Sequence, residues 1–169
     1  RSYYIEESLL KPWCEKNKVS QIIQLGAGLD TRAYRFKPFE ETHIIYELDL
    51  PIIINYKNEV LKHKKPLCRI IRLSTDLATD EWVINLITNG FNKEIPTFWI
   101  LEGLAYYIEQ KTFKNLLIKT TAISADHSKI FVDVCVPALA ELKFGPFNRY
   151  FKWGITFEEI PSFFKNTGW

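Results

Sequence analysis

One stretch of the sequence decides how this chain folds: Gln24-Leu-Gly-Ala-Gly-Leu-Asp-Thr-Arg-Ala-Tyr-Arg35. It follows an apolar run from Val19 to Leu25 that is typical of a buried strand, and it leads into a stretch compatible with a helix. Glycines at such a junction let the backbone turn tightly and approach a ligand that a Cβ atom would exclude. A Gly-x-Gly turn also occurs at ordinary strand-to-helix junctions, so its meaning depends on the residues that follow.

The composition indicates one globular domain. At 169 residues, with 47% hydrophobic and 25% charged residues, the chain resembles an ordinary soluble enzyme and can bury a core. The net charge of +2 is too small to favour nucleic acid or an acidic membrane as a partner. No apolar run reaches the length of a membrane span. We therefore expect a single domain over residues 1–169 that binds neither.

The cysteines and histidines predict neither disulfides nor a metal site. Cys14, Cys68 and Cys135 are odd in number and form no Cys-x-x-Cys pair, which favours reduced thiols and a cytoplasmic location. The three histidines lack the spacing of metal ligands. The chain contains no methionine, even at position 1, so we expect it to be incomplete at its N-terminus. For that reason the lack of a signal peptide carries little weight.

Strand-like and helix-like segments alternate along the chain. The predicted strands occupy residues 19–25, 43–48, 69–74, 97–102 and 129–136. The predicted helices occupy residues 2–14, 31–36, 52–64, 81–88 and 110–124, and a capping box at Thr156 and Glu159 predicts a last helix ending at Gly168. This alternation favours an open, mostly parallel α/β sheet. Right-handed crossovers bring the carboxyl ends of such strands to one edge, where ligands bind at the switch point.

Four predicted strands end in glycine or acidic residues on that shared edge. These residues are Gly26 and Gly28, then Glu47 and Asp49, then Asp76, and finally Glu102. Asp49 follows Gly28 by 21 residues, the spacing at which an acidic side chain reaches ribose hydroxyls in nucleotide-binding α/β folds. A single acid of this kind could simply cap a helix or remain solvated. Four strand ends together favour a ligand site.

The turn also narrows the class of nucleotide. A dinucleotide fingerprint requires Gly or Ala at its third glycine position, where this chain has Thr31. No Lys-Ser/Thr pair follows the turn, which excludes a P-loop. The acidic edge repels a pyrophosphate but suits a ligand with a ribose, an amine and a sulfonium cation. Those are the polar features of S-adenosyl-L-methionine.

Four ordered motifs resemble those of the leucine carboxyl methyltransferase family: Leu25-Gly-Ala-Gly-Leu-Asp-Thr-Arg32, Tyr46-Glu-Leu-Asp-Leu-Pro51, Asp76-Leu77 and Leu101-Glu-Gly-Leu-Ala-Tyr-Tyr-Ile108. The similarity runs from Arg1 to about Ile108 and continues weakly through residues 164–169. It implies a Rossmann-like class I methyltransferase sheet in which strands one to five are present and the final strands are missing. It also implies an S-adenosyl-L-methionine-dependent O-methyltransferase that methylates a carboxylate, on a protein C-terminal leucine or a small metabolite.

The resemblance implies positions for the methyl donor. Arg1 corresponds to an arginine that pairs with the methionyl carboxylate, and Glu102 is expected to help hold the donor through its amine. Asp49 takes the ribose hydroxyls, while Asp76 and Leu77 flank the adenine. The backbone of the turn lies beneath the methionine portion, at Gly26, Ala27 and Gly28.

Other motif residues are assigned supporting roles. Asp30, Arg32 and Glu47 are expected to brace the turn rather than touch the ligand. Tyr106 and Tyr107 face the expected acceptor region and could position a substrate, with aromatic packing as the alternative role. No side chain stands out as a general base, and an ionised acceptor needs none, because displacement at a sulfonium rests on positioning in a dry site.

Family chains are longer at both ends, so we expect part of the acceptor side to be missing and the apolar strand near 130–136 to present an open edge. Two other functions remain in view. One is a truncated fragment that binds a nucleoside ligand or a partner protein without catalysis. The other is a nicotinamide-dependent oxidoreductase, which Thr31 and the acidic edge oppose. The acceptor and the oligomeric state stay open.

Overall fold

Five parallel strands form a single sheet. In the computed structural model, which describes residues 1–142, 145–146 and 148–169, these strands are β1 (Ser20–Leu25), β2 (His43–Asp49), β3 (Arg69–Ser74), β4 (Thr97–Leu101) and β5 (Lys129–Val132). Their order in the sheet is β3-β2-β1-β4-β5, and every neighbouring pair is parallel. The glycine turn therefore leaves from the central strand.

Helices fill the connections. The opening helical segment, residues 2–16, consists of α1 (Ser2–Tyr4), a π-helix (Ile5–Leu10) and α2 (Lys11–Lys16). The later helices are α3 (Arg32–Arg35), α4 (Pro51–Leu61), α5 (Glu81–Thr88), α6 (Gln110–Ala122), α7 (Pro137–Glu141) and α8 (Ile160–Lys165), with 3-10 turns at Ala105–Tyr107 and Asn148–Tyr150. Within the described ranges, none of the helices has the length and apolar character needed to cross a membrane.

Apolar side chains cover both faces of the sheet, as parallel strands require. On one face, Ile23 and Leu25 of β1 join a cluster with helices α5 and α6. On the other, Ile22 joins a cluster with the opening helical segment, through Ile5 and Leu10. The two faces alternate residue by residue along β1, so its position between the layers is fixed.

The π-helix in the opening segment has a packing cause. Ile5 and Leu10 are both fully buried although they are five residues apart. In an α-helix that spacing places two side chains on different faces, whereas i→i+5 bonding brings them closer to one face. The N–H of Lys11 donates to the carbonyl of Glu6 in this manner. The wider π-helical turn therefore lets Ile5 and Leu10 both pack against the same face of the sheet.

The predicted strands one to four agree with the structure to within one residue at each end. The predicted fifth strand, 129–136, was wrong beyond Val132. Leu101 is the last residue of β4 and pairs with Val132, so residues 133–136 have no strand beside them on that side. The last helix also ends earlier than predicted, at Lys165, and Gly168 lies in the turn that follows with φ of +90°.

Candidate ligand site

A cavity of about 380 Å³ lies at the carboxyl ends of β1 and β4. This is the switch point of the sheet, because the chain goes from β1 to β2 on one side and returns to β4 on the other. Gln24 and the glycine turn line the cavity from β1, and Ile100 and Glu102 line it from β4. Arg1 and Ser2, at the start of the opening helical segment, also line it. Three separate parts of the sequence thus build one site.

The glycine turn is held in shape by β2. Gly26 and Gly28 have φ angles of +70° and +48°, a region that side chains rarely allow. The N–H groups of Gly26 and Ala27 donate to the carbonyl of Leu48 at 2.9 and 3.1 Å. The N–H of Gly28 donates to Asp49 Oδ2 at 2.7 Å. The turn is therefore fixed before any ligand binds.

Asp49 lies beside the turn, as the 21-residue spacing predicts, but it does not line the cavity. Its second oxygen, Oδ1, accepts from the N–H of Leu50 at 2.7 Å. Asp76 is exposed and accepts from the N–H of Ala78 at 2.9 Å, and Leu77 packs partly against the core. Neither lines the cavity. Asp49 thus lies next to the cavity residues, whereas Asp76 and Leu77 follow β3, which β2 separates from the cavity strand β1.

Both carboxylate oxygens of Glu102 accept hydrogen bonds. Its Oε1 accepts from Arg1 Nε at 2.9 Å and from Ser2 Oγ at 3.0 Å. Its Oε2 accepts from Arg32 Nη2 at 2.7 Å. Glu102 therefore joins the opening helical segment to the helix that follows the glycine turn.

Arg32 lies at the centre of these contacts and is only 1% exposed. Besides Glu102, it donates through Nε to Glu6 Oε1 at 3.1 Å and through Nη1 to Asp30. Arg35, which is exposed, binds Glu6 from the other side at 2.7 and 2.8 Å. Arg32 and Asp30 thus tie the turn to its surroundings, although both also line part of the cavity wall.

Asp133 is a site residue that sequence reasoning missed. It directly follows β5, and its Oδ1 accepts from the N–H of Gly103 at 2.6 Å. Its Oδ2 accepts from Arg1 Nη1 at 2.5 Å and from the Tyr106 hydroxyl at 3.1 Å. The strand-end rule that selected Glu102 would have selected Asp133 as well, had the fifth strand been ended at Val132.

The two predicted acceptor tyrosines both line the cavity. The ring centroid of Tyr106 lies 4.3 Å from that of Phe151 and 5.0 Å from that of Tyr107. Burial, with the charge of Asp133 adding to it, raises the pKa of Tyr106 to about 12. The phenol therefore stays protonated at neutral pH and acts as a hydrogen-bond donor.

Glu47 belongs to a separate buried network away from the cavity. It is fully buried on β2, with Lys57 Nζ at 3.0 Å and Arg72 Nε at 2.7 Å from its Oε2. Arg72 also donates to the Tyr34 hydroxyl at 2.7 Å and to Asn58 Oδ1 at 2.9 Å. The contacts of Glu47 therefore join β2 to β3 and α4 and stabilise that side of the sheet.

The cysteines are free and buried. Burial raises the pKa of Cys14 and of Cys68 to about 12, so both thiols are protonated and unreactive at neutral pH. Across the residues that the structure describes, no cluster of three or more His, Cys, Asp or Glu side chains is arranged to hold a metal ion.

Acid should destabilise the protein through the carboxylates around Arg32. Burial opposes ionisation of Glu102, but hydrogen bonds from Arg32 and Arg1 outweigh it and hold its pKa below the usual 4.5. The hydrogen bond from Arg35 lowers the pKa of Glu6 in the same direction. A carboxylate whose pKa is depressed on folding stabilises the protein above its unfolded pKa, and this stability is lost as the pH falls through the folded value.

We therefore expect the free energy of unfolding to be level above about pH 5 and to fall below about pH 4.5. Urea denaturation between pH 3 and pH 7 would measure it. Glu102→Gln should be less stable at pH 7 and should show a shallower loss toward pH 3. An identical acid slope in wild type and variant would contradict the assignment.

The family model for leucine carboxyl methyltransferase matches residues 1–121. A protein from Mycobacterium sp. (strain KMS), named "Putative S-adenosyl-L-methionine-dependent methyltransferase", is 36% identical over 126 residues, which are 73% of this chain and 41% of that protein. A similarly named protein from Mycolicibacterium smegmatis is 36% identical over 121 residues, 70% of this chain and 40% of its own length. The chain thus spans about two fifths of these curated relatives.

Solved structures share the fold. A DUF574 family protein from Streptomyces avermitilis superposes with a TM-score of 0.75 at 11% identity, covering 97% of this chain and 67% of that one. The S-adenosylmethionine-dependent methyltransferase SibL, in its apo form, gives a TM-score of 0.61 at 12% identity, covering 95% of this chain and 48% of its own. The parallel five-stranded sheet and these neighbours confirm the predicted Rossmann-like class I methyltransferase fold.

Proposed function

Because this chain belongs to the leucine carboxyl methyltransferase family, we propose that it forms the donor-binding part of an S-adenosyl-L-methionine-dependent O-methyltransferase. One observation carries the proposal: the glycine turn, Arg1 and Glu102 meet in a cavity at the switch point of the sheet. That arrangement brings together a cation, a carboxylate and a close-approach turn, a combination that suits an amino-acid-bearing nucleoside and supports the proposal.

The residues present suit S-adenosyl-L-methionine. A Cβ atom built on Gly28 would meet no other atom within 4 Å, so the missing side chain leaves open space at the turn. Arg1 offers a planar guanidinium for the ligand carboxylate, and Asp49 offers two oxygens for the ribose diol. When bound, this donor supplies a methyl group already activated on a sulfonium. The protein then has to orient the donor and acceptor and exclude water.

Asp49 can act as the ribose acceptor while keeping its present partners. Its two oxygens now accept from the N–H groups of Gly28 and Leu50. Each carboxylate oxygen has a second lone pair, so the hydroxyls can join without displacing the backbone donors. Asp76 and Leu77, which follow β3, would then flank the adenine.

A carboxylate is the acceptor that we favour, on a protein C-terminal leucine or a small metabolite. Tyr106 and Tyr107 line the cavity, and an ionised carboxylate needs no general base. Nucleic acid and membrane are not proposed as partners, because the net charge of +2 is too small to favour them. The three free cysteines suit a reducing compartment, and we propose the cytoplasm.

Calorimetry and a methyl-transfer assay distinguish this proposal from the two alternatives, an oxidoreductase and a donor-binding fragment. We expect S-adenosyl-L-homocysteine, the product of the donor, to bind this chain, and NAD not to bind. Tight binding of NAD alone would overturn the proposal in favour of an oxidoreductase. Binding of the product without methyl transfer to any carboxylate would favour a donor-binding fragment, since the chain covers only 41% of a matched relative.

A further inference from the structure

Gln24 is a buried amide that the rest of the fold does not fully use. It lies on β1 two residues before Gly26, is 3% exposed and lines the cavity. Its Oε1 has no hydrogen-bond partner among the described residues. Burying an amide oxygen without a donor costs roughly 1–3 kcal/mol, so an orphaned one at a cavity wall requires an explanation.

The side chains in register with Gln24 on the two neighbouring strands offer its Oε1 no hydrogen-bond donor. Its partner on β2 is Glu47, whose Oε1 is likewise a buried oxygen without a hydrogen-bond partner. Its partner on β4 is Ile100, which is apolar. A donor for Gln24 Oε1 would therefore come most simply from the cavity.

Gln21, on the same strand, shows what a structural glutamine looks like here. It is 1% exposed, and its Nε2 donates to the carbonyl of Asn92 at 2.8 Å and to Thr97 Oγ1 at 3.2 Å. Its Oε1 accepts from the N–H of Asn92 at 2.8 Å. Both ends of that amide are used within the protein, unlike those of Gln24.

Glu102 cannot readily serve every donor that a ligand brings to this cavity. It already accepts from Arg1, Ser2 and Arg32. The amino group of the proposed methyl donor carries three N–H bonds and needs acceptors on the same wall. Gln24 lies in that wall, and rotation of its amide would turn the unbonded Oε1, which is inaccessible in this structure, toward the ligand.

We propose that Gln24 is a ligand-binding residue whose carbonyl oxygen accepts a hydrogen bond from the amino group of the methyl donor. The proposal rests on the proposed function, because it takes S-adenosyl-L-methionine as the ligand. It adds Gln24 to the residues predicted from the sequence, and it gives Glu102 the task of fixing Arg1 and Arg32 rather than holding the amine alone.

The test compares two ligands on two proteins. Calorimetry would measure S-adenosyl-L-homocysteine and its deamino analogue, in which hydrogen replaces the amino group, on wild type and Gln24→Met. Wild type should prefer the amine-bearing ligand by about tenfold or more. Gln24→Met should bind that ligand about tenfold more weakly and bind the deamino analogue as wild type does, so that the preference disappears.

Gln21→Met is the matched control. It removes four hydrogen bonds, so it should lower the melting temperature while leaving the wild-type preference for the amine intact. If Gln24→Met does not fold, Gln24→Asn shortens the amide by one methylene and provides the same comparison. An unchanged preference in the position-24 variants, or equal weakening of both ligands, would overturn the proposal. Failure of wild type to bind S-adenosyl-L-homocysteine would instead overturn the proposed function.

Discussion

Arg32→Met is expected to lower the free energy of unfolding by about 3–5 kcal/mol at neutral pH. The Arg32 side chain is only 2% exposed and contacts the carboxylates of Glu6, Asp30 and Glu102. Removing this cation leaves three carboxylates, each no more than 15% exposed, close together without their shared counter-charge. Urea denaturation followed by circular dichroism would measure the loss.

Arg35→Met provides the matched control for this prediction. Arg35 is on the same short helix and binds the same Glu6, but its side chain is 49% exposed. An exposed ion pair contributes about 1 kcal/mol or less, so this variant should remain close to wild type. Equal losses for the two variants would show that burial of Arg32 does not determine its contribution.

The second large effect is expected for ligand binding. Asp49→Ala should weaken S-adenosyl-L-homocysteine by roughly a hundredfold, because it removes a charged acceptor from both ribose hydroxyls. The same substitution should weaken binding of the 2′-deoxy analogue less, because that analogue lacks one of the two ribose hydroxyls that Asp49 binds. Calorimetry with the two ligands measures the difference.

Stability must be followed in parallel, because Asp49 also binds the N–H groups of Gly28 and Leu50. Asp80→Ala is a suitable control, since Asp80 is an acid beyond β3 whose side chain is 86% exposed. It should leave affinity unchanged. If Asp49→Ala folds and binds both ligands as wild type does, the ribose site has been misplaced.

The sheet was predictable because its signals are local. Each of the first four strands is an apolar run that ends in glycine or polar residues, and the structure agrees with those ends to within one residue. In the fifth run, apolar residues resume after Asp133 at Val134, Cys135 and Val136, so the sequence does not distinguish an end at Val132 from a longer strand. Its end depends on where β4 stops, which is a property of the neighbouring strand.

The site likewise has features that could be predicted from the sequence and features that could not. The spacing of the motifs predicted that the glycine turn and Glu102 meet at one edge, and both line one cavity. The partners of Arg1 could not be predicted, because Asp133 lies 132 positions away. Gln24 was overlooked because a glutamine in an apolar strand gives the same pattern whether its amide is bonded, as in Gln21, or not.

The position of β1 at the centre of the sheet bears on the order of folding. β2 and β3 join it through successive crossovers, but β4 must return past them, and Gln21 and Thr97, which pair across β1 and β4, are 76 positions apart. Closing so long a loop is slow, and the cavity does not exist until it closes. A ligand that requires both strands would therefore slow unfolding of the finished protein without accelerating its formation.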